Sequence, residues 1–289
     1  MKTTCVVGGG ITGMAAVWEL ERRPDTASLK ITWLEAGDGP GGKIRTVEQD
    51  GFRFEQGPDS FISQKPWLKA WCEDLGIADQ LVGCLPENNR VLFFNNGRLS
   101  PLPDGFRLCA PTKKIPLLFS SLLPLSAKMR MLWEPLIPAR SSDTDESMAD
   151  FVRRRFGAAT LERVAGPMMA GIFVGDPEKL SIQTTFPLLV AMEEKYGSVT
   201  KGLLAAAKAR KNTPSEPSFM TFPRGLQQLK SEALAQINTP VTTNTPLQSL
   251  RREGETWILE TPAGTSEASA VLLACPAPAA ADALEAFDP

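Results

Sequence analysis

The stretch TTCVVGGGITG, residues 3–13, decides the fold of the first part of this chain. It begins with a short apolar run, typical of a buried strand, and continues into a glycine-rich turn. Residues 12–22 have the apolar spacing of a helix, and residues 29–35 predict a second strand. Strand, glycine turn, helix and strand in this order predict one βαβ unit of the Rossmann type.

The glycine turn has the spacing G-x-G-x-x-G, and each glycine in it has a physical task. Gly8 allows the tight turn, Gly10 lets the backbone approach a pyrophosphate, and Gly13 allows helix and strand to pack closely. The helix N-terminus faces the negative phosphates, and Glu35, at the end of the second strand, can accept hydrogen bonds from ribose hydroxyls. The predicted dinucleotide contacts are Gly8, Gly9, Gly10, Ile11, Thr12, Gly13 and Glu35.

The residues after Glu35 indicate which dinucleotide is bound. The run E-x5-GG, which Gly41 and Gly42 complete and Lys43 follows, resembles the extended FAD motif of flavoproteins of the amine oxidase and glutathione reductase type. A plain NAD site does not require the second glycine pair. The Glu35 carboxylate would repel the 2′-phosphate of NADP. The sequence therefore favours FAD.

The composition excludes several kinds of function. None of the 289 residues is histidine, so an imidazole base, a Ser-His-Asp or Cys-His nucleophile and histidine metal ligands are excluded. The net charge of −2 gives no electrostatic reason to expect a nucleic-acid partner. Five widely spaced cysteines without a C-x-x-C pair predict neither a zinc site nor a disulfide framework, and indicate a reducing, intracellular setting. We expect no metal and no catalytic side chain, but chemistry supplied by a cofactor.

The rest of the chain alternates predicted helices and strands. A hairpin is expected around Asn95-Asn96-Gly97, and a helix is expected from its cap at Ser147 to Gly157. Further helices are predicted at residues 66–75, 198–212 and 224–236, and strands at 241–247, 249–253, 256–260 and 270–274. These strands predict a β-meander followed by a return to the parallel sheet.

Residues 115–138 are the most apolar stretch of the chain. Prolines at 116, 124 and 135 and several charges interrupt it, whereas a helix that spans a bilayer needs about 20 predominantly apolar residues. Two interpretations stay open and are compatible: helices that line an apolar cavity, and a surface that rests on a membrane.

Several longer blocks carry a more specific resemblance. They are GGGITGMAA (8–16), EAGDGPGGKIRT (35–46), GFRFEQGPDSF (51–61), NRVLFFNNGRL (89–99), ESMADFVRRRFG (146–157), GPMMAGIFVGDPEKLSIQTTFP (166–187) and FPRGLQQL (222–229). In order and spacing they resemble the protoporphyrinogen oxidase family, including its bacterial forms that act on coproporphyrinogen. The block with GDP-x-x-LS separates this family from amine oxidases and carotenoid desaturases.

The resemblance implies an α/β fold, α+β overall, with a Rossmann-like FAD-binding domain and an interleaved helical and mixed substrate domain. The implied limits are 1–85 and 221–289 for the FAD-binding domain and 86–220 for the substrate domain. Members of the family are considerably longer, so we expect a C-terminally truncated member whose segment that closes over the flavin is absent.

The resemblance also implies site residues. Further cofactor contacts would come from Ala36, Gly42, Lys43, Gly57, Pro58, Asp59 and Ser60, and from the backbone of Leu247 in the predicted strand 241–247. Arg90 matches a basic position that contacts a propionate of the tetrapyrrole in that family. Gly175 is the glycine of the GDP-x-x-LS block. These two residues are the implied substrate contacts.

The implied activity is oxidation of a porphyrinogen to the porphyrin by FAD, with oxygen as acceptor, in haem biosynthesis. The expected location is the cytoplasm. Peripheral contact with the cytoplasmic membrane and formation of a homodimer both stay open. Two alternatives stay open: a related flavoenzyme that acts on an amine or a polyene, and an inactive fragment or a subunit that folds with a second polypeptide.

Overall fold

The structure, a computed structural model, describes residues 2–85, 91–95, 97–107, 109–141, 144–209, 217–285 and 287. The chain divides into two compact units. Unit 1 comprises residues 1–84 and 216–289, and unit 2 comprises residues 85–215. Their roles in cofactor and substrate binding stay predictions.

The described strands are short. In chain order they are β1 (Thr3–Val7), β2 (Lys30–Leu34), β3 (Thr46–Gln49), β4 (Phe52–Glu55), β5 (Phe61–Ile62), β6 (Val82–Gly83), β7 (Leu92–Asn95), β8 (Arg98–Pro101), β9 (Phe106–Arg107), β10 (Ala110–Pro111), β11 (Phe219–Thr221), β12 (Val241–Thr242), β13 (Ser249–Glu253), β14 (Thr256–Thr261), β15 (Gly264–Ala268) and β16 (Ala270–Leu273).

The helices fall mainly in unit 2. In chain order they are α1 (Ile11–Arg22), α2 (Pro66–Asp74), α3 (Lys114–Phe119), α4 (Leu125–Leu132), α5 (Met148–Phe156), α6 (Ala158–Thr160), α7 (Gly166–Phe173), α8 (Ile182–Thr185), α9 (Pro187–Tyr196), α10 (Val199–Ala209), α11 (Gln227–Ala235) and α12 (Ala277–Leu284), with a π-helical segment at Leu161–Ala165 between α6 and α7.

A parallel sheet in the order β12-β2-β1-β16 forms the centre of unit 1. Alternate residues of β1 belong to different apolar clusters: Val6 packs with residues of α1, α2 and α11, whereas Cys5 and Val7 pack with the meander β13-β14-β15. Because side chains of a strand alternate between its faces, the sheet is covered on both sides. The predicted Rossmann-like βαβ unit and the mixed α/β class are confirmed.

The predicted strand 241–247 is shorter than expected. Within this predicted strand, only Val241–Thr242 pairs with β2. Beyond it Asn244 takes a positive φ of 52°, and the Thr245 N–H donates to the Glu35 carbonyl at 2.8 Å. The chain therefore turns across the end of β2 instead of joining the meander. The third meander strand is β15, which was not predicted from the sequence.

The predicted helix 224–236 begins later, at Gln227. Gly225 adopts a φ of +77° in a turn that precedes the helix. The first free N–H groups then find partners on the β3–β4 hairpin: Leu226 donates to Glu55 Oε1 at 2.8 Å, and Gln227 donates to Thr46 Oγ1 at 3.1 Å. Side chains distant in sequence thus cap α11.

Unit 2 is built around one apolar cluster contributed mainly by its helices. The predicted helix after Ser147 is confirmed as α5: the Ser147 hydroxyl accepts a hydrogen bond from the Asp150 N–H at 3.0 Å, and Gly157 ends the helix with a φ of +90°. The predicted hairpin is confirmed as β7–β8, with Asn96 outside the described residues.

The apolar stretch 115–138 is helical, as expected, and is divided into α3 and α4 by a break at Pro124. Within the described residues, no helix combines the length and the apolar character needed to cross a bilayer. Whether this stretch lines a cavity or meets a membrane stays a prediction.

Candidate functional site

A cleft of about 780 Å³ opens at the carboxyl edge of the parallel sheet in unit 1. This is the edge at which ligands bind in open α/β sheets. It is lined by residues that follow β1, β2, β12 and β16 and by residues of the four helices α1, α2, α11 and α12. The lining is Val7, Gly8, Gly10, Ile11, Thr12, Glu35, Ala36, Gly41, Gly42, Lys43, Ile44, Pro58, Ser60, Phe61, Leu68, Leu226, Leu229, Thr245, Pro246, Leu247, Ala274, Cys275, Pro276 and Ala279.

The three glycines of the first turn have different surroundings. Gly8 has a φ of +115°, and a Cβ there would lie 2.6 Å from the Ala274 carbonyl oxygen. A Cβ on Gly13 would overlap the Gly8 carbonyl oxygen. A Cβ on Gly10 would meet nothing within 4 Å. Gly8 and Gly13 are therefore required for packing, whereas Gly10 leaves open space beside the cleft.

The N-terminus of α1 opens into this space. Gly10 is its N-cap residue, and no side chain caps the helix. The N–H groups of the first turn of a helix have no partner inside the helix, and the helix dipole makes this end attractive to anions. Such an end fits a phosphate group of a ligand.

The Glu35 carboxylate borders the same space. Its Oε2 accepts the Gly9 N–H at 2.5 Å, and its Oε1 accepts the Gly37 N–H at 2.6 Å. These two bonds hold the side chain in place. A carboxylate has about four acceptor positions, so two stay available to hydroxyl groups of a ligand.

The second glycine pair lies directly on the first turn. The Gly41 N–H donates to the Gly9 carbonyl at 2.7 Å, and a Cβ on Gly42 would lie 3.0 Å from Gly10 Cα. Both glycines have positive φ values, 127° and 55°. The exposed Lys43 follows and lines the cleft. The E-x5-GG motif and the first glycine motif therefore form one continuous surface.

Two of the four residues in segment 57–60 line the cleft, and two do not. Pro58 and Ser60 line the cleft. Gly57 instead packs against Lys43, whose carbonyl oxygen a Cβ would overlap, and Asp59 accepts a hydrogen bond from the Ser60 hydroxyl at 2.7 Å. Gly9 and Gly13 likewise do not line the cleft, and pack against Glu35 and the Gly8 carbonyl oxygen.

Leu247 lines the cleft, but it lies in a loop and not in a strand as predicted. The Thr245 bond to the Glu35 carbonyl holds this loop beside the end of β2. Of the predicted substrate contacts, Arg90 lies outside the described residues. Gly175 lies in unit 2, where a Cβ would come 3.2 Å from Leu180 Cδ2.

About half of the residues that line the cleft were not predicted from the sequence. Ala274 and Cys275 follow β16, the strand beside β1, and the rule for the carboxyl edge could have found them. Burial raises the pKa of the Cys275 thiol above its ordinary value. Leu226 and Leu229 offered no signal, because apolar spacing does not say which apolar residues of a helix face a ligand.

The described residues fit a dinucleotide on three independent features. The open space at Gly10 lets a ligand group approach the backbone closely. The α1 N-terminus, which no side chain caps, suits a phosphate, and Glu35 offers hydrogen-bond acceptors for the hydroxyls of a ribose. The lining around Leu226, Leu229 and Phe61 supplies apolar area for a planar ring.

Comparisons with known proteins agree with this geometry. Coproporphyrinogen III oxidase of Bacillus subtilis (strain 168) is 34% identical over 98% of this chain and 62% of its own length. Chloroplastic protoporphyrinogen oxidase 1 of Arabidopsis thaliana is 32% identical over 91% of this chain and 50% of its own. A crystal structure of a candidate protoporphyrinogen oxidase from Exiguobacterium sp. 255-15 matches with a TM-score of 0.82 and 31% identity, over 98% of this chain and 61% of that one.

The similarity to porphyrinogen oxidases that was predicted from the sequence is thus confirmed by these relatives. The chain spans about 62% of the length of the Bacillus relative. The family model for flavin-containing amine oxidoreductases matches residues 11–289. A flavin, the cofactor predicted from the sequence, is therefore the cofactor of the matching family. Because this match covers nearly the whole length of the chain, the chain belongs to the family of flavin-containing amine oxidoreductases.

Proposed function

We propose that the cleft of unit 1 binds FAD. The α1 N-terminus would receive the diphosphate through the N–H groups near Gly10, Ile11 and Thr12, and Glu35 would accept the ribose hydroxyls of the adenosine half. Leu247 would contact the adenine ring. Lys43, Pro58 and Ser60 would lie along the flavin half, with Gly57 and Asp59 supporting them. The fit of the Gly10 space and the Glu35 carboxylate supports this arrangement.

We further propose that the whole protein oxidises a porphyrinogen, protoporphyrinogen IX or coproporphyrinogen III, to the porphyrin with oxygen as acceptor. The observation that carries this proposal is the 34% identity to a coproporphyrinogen III oxidase over 98% of this chain. FAD, when bound, supplies the two-electron oxidation chemistry. The protein's task is to orient the macrocycle and exclude water. Arg90 would pair with a propionate, and Gly175 would lie near the ring.

The rival activity is oxidation of an amine, since the nucleotide-binding features are common to the flavin-containing amine oxidoreductases. A chimera in which this chain replaces the matched segment of the Bacillus relative separates the two, because it restores the remaining length of that relative. We expect porphyrin fluorescence to appear from reduced coproporphyrin or protoporphyrin. A chimera that produces hydrogen peroxide from amines and forms no porphyrin would assign the rival. This chain alone is expected to give weak turnover or none.

We also propose peripheral contact with the cytoplasmic membrane through α3, α4 and the turn after them. Several large apolar side chains are exposed here, including Phe119 at 88% and Leu136 at 81%. We expect the chain to co-sediment with lipid vesicles, and the double variant Phe119→Ser, Leu136→Ser to lose this binding. Phe94→Ser, at another exposed phenylalanine of unit 2, is the control. Sedimentation equilibrium without vesicles tests for the homodimer.

A further inference from the structure

A lysine outside every nucleotide-binding motif packs against Gly41, a residue that lines the cleft. Lys230 belongs to α11, one residue after Leu229 and four after Leu226, both of which line the cleft. Residues three and four apart share one side of a helix. Lys230 therefore lies on the same side of α11 as Leu226, its N-cap residue.

The Lys230 side chain extends across Gly41, the first residue of the second glycine pair. A Cβ on Gly41 would lie 2.6 Å from Lys230 Cδ and 3.0 Å from its Nζ. Gly41 is itself part of the lining and is bonded to Gly9 of the first turn. The ammonium group thus lies beside Gly41, at the place where the second glycine turn is bonded to the first.

No acidic side chain neutralises this ammonium group among the residues that the structure describes. The carboxylate nearest in sequence on α11, Glu232, pairs with Arg224 instead. Lys230 is half-buried, so its charge is partly withdrawn from solvent. A half-buried ammonium with three donors and no anionic partner is suited to an anion that comes with a ligand.

We propose that Lys230 binds the diphosphate of the dinucleotide, as a second source of positive charge beside the α1 N-terminus. This inference rests on the proposed function, since it takes FAD as the ligand. The alternative is a packing role, in which the alkyl chain of Lys230 covers Gly41 and the ammonium group has no effect on binding. Charge and packing are separable because methionine keeps most of the alkyl chain and removes the charge.

The test is the affinity of the purified chain for FAD and for ADP, measured by calorimetry at 50 and 500 mM NaCl. The variants are Lys230→Met and Lys230→Arg, with Lys208→Met, an exposed lysine on α10, as the matched control. Circular dichroism verifies that each variant is folded. We expect Lys230→Met to weaken FAD and ADP about tenfold at low salt and only two- to threefold at high salt. Lys230→Arg and Lys208→Met are expected to stay within about twofold of the original chain.

The outcomes distinguish the two proposals. If the original chain binds neither FAD nor ADP, the proposed function fails, and the role of Lys230 fails with it. If the original chain binds both ligands and Lys230→Met binds them equally well, only the role of Lys230 is overturned. A loss of affinity that is the same at both salt concentrations would assign a packing role and overturn the charge interaction.

Discussion

At the scale of single residues, the glycines of the first turn divide into two kinds. Gly8 and Gly13 have no room for a side chain, because backbone carbonyl oxygens occupy the position of a Cβ. Gly10 has room, and its φ of −69° is open to any residue. The motif is therefore partly a folding requirement and partly a binding requirement, and mutagenesis can separate the two.

Gly13→Ala should destabilise unit 1. The new methyl group would overlap the Gly8 carbonyl oxygen, and overpacking against backbone is relieved only by a shift of α1 from β1. We expect a loss of about 2–3 kcal/mol and a fall in melting temperature of roughly 5–10 °C, measured by thermal unfolding. Gly39→Ala, where a Cβ would meet nothing within 4 Å, is the control. An unchanged melting temperature for Gly13→Ala would contradict this account of the turn.

The residues of the site that follow a motif could be predicted, and those brought in by tertiary packing could not. Gly8, Gly10 and Glu35 were predictable because one local βαβ unit fixes their spacing. Leu226 reaches the cleft only because Glu55 and Thr46, on a distant hairpin, fix the start of α11. No periodicity in the sequence encodes that contact.

At the scale of elements, α5 shows how a local signal fixes a boundary. Ser147 accepts the Asp150 N–H, and Gly157 closes the other end. Both signals were readable in the sequence because a cap depends on residues within one turn of the helix. The predicted strand 241–247 depended on pairing instead, and the backbone bond from Thr245 to Glu35 ended it early.

Ser147→Ala should lower the free energy of unfolding of unit 2 by about 1 kcal/mol, because one helix N–H loses its acceptor. Ser147→Asp should retain most of the stability, since a carboxylate also caps a helix. Urea unfolding measures both. Ser231→Ala, whose hydroxyl donates to the Gln227 carbonyl within α11, is the comparison and should change stability little. Equal losses at the two serines would argue against the cap.

At the scale of the whole molecule, unit 2 encloses a charged pair that ties several elements together. Glu134 and Arg155 are fully buried and form an ion pair. The Glu134 carboxylate also accepts the Ser198 hydroxyl at 2.6 Å and the Val199 N–H at 3.0 Å, at the start of α10. Composition could not reveal this pair, because its partners are widely separated in the chain.

This pair should make unit 2 sensitive to acid. Burial alone would raise the pKa of Glu134, but the Ser198 hydroxyl and the Arg155 guanidinium outweigh it and hold the pKa below its ordinary 4.5. Since the unfolded chain then binds a proton more readily than the folded one, stability is present above about pH 4.5 and is lost as the pH falls through the folded-state pKa. We expect the urea midpoint to fall steeply at acidic pH.

Glu134→Gln tests the origin of that sensitivity. The substitution leaves the buried Arg155 with only the more distant Glu193 carboxylate, at 3.4 Å, as counter-charge, so it should cost about 3 kcal/mol at pH 7. It should also flatten the fall in stability at acidic pH. Glu162→Gln, at an exposed carboxylate of the same unit, should change neither property. A Glu134→Gln protein with the original acid dependence would place the sensitivity at other carboxylates, such as Glu193, whose pKa Arg154 also lowers against the opposing effect of burial.

The proposed binding of FAD at the α1 N-terminus decides what the cleft of unit 1 does. The measurement that tests it most directly is a flavin fluorescence titration of the original chain beside Gly10→Ala, with circular dichroism confirming that both are folded. We predict that the original chain binds FAD with a Kd below about 10 µM and that Gly10→Ala, with unchanged stability, binds at least tenfold more weakly. A folded original chain that does not bind FAD at about 100 µM, or a Gly10→Ala variant that binds it as tightly, would contradict the claim.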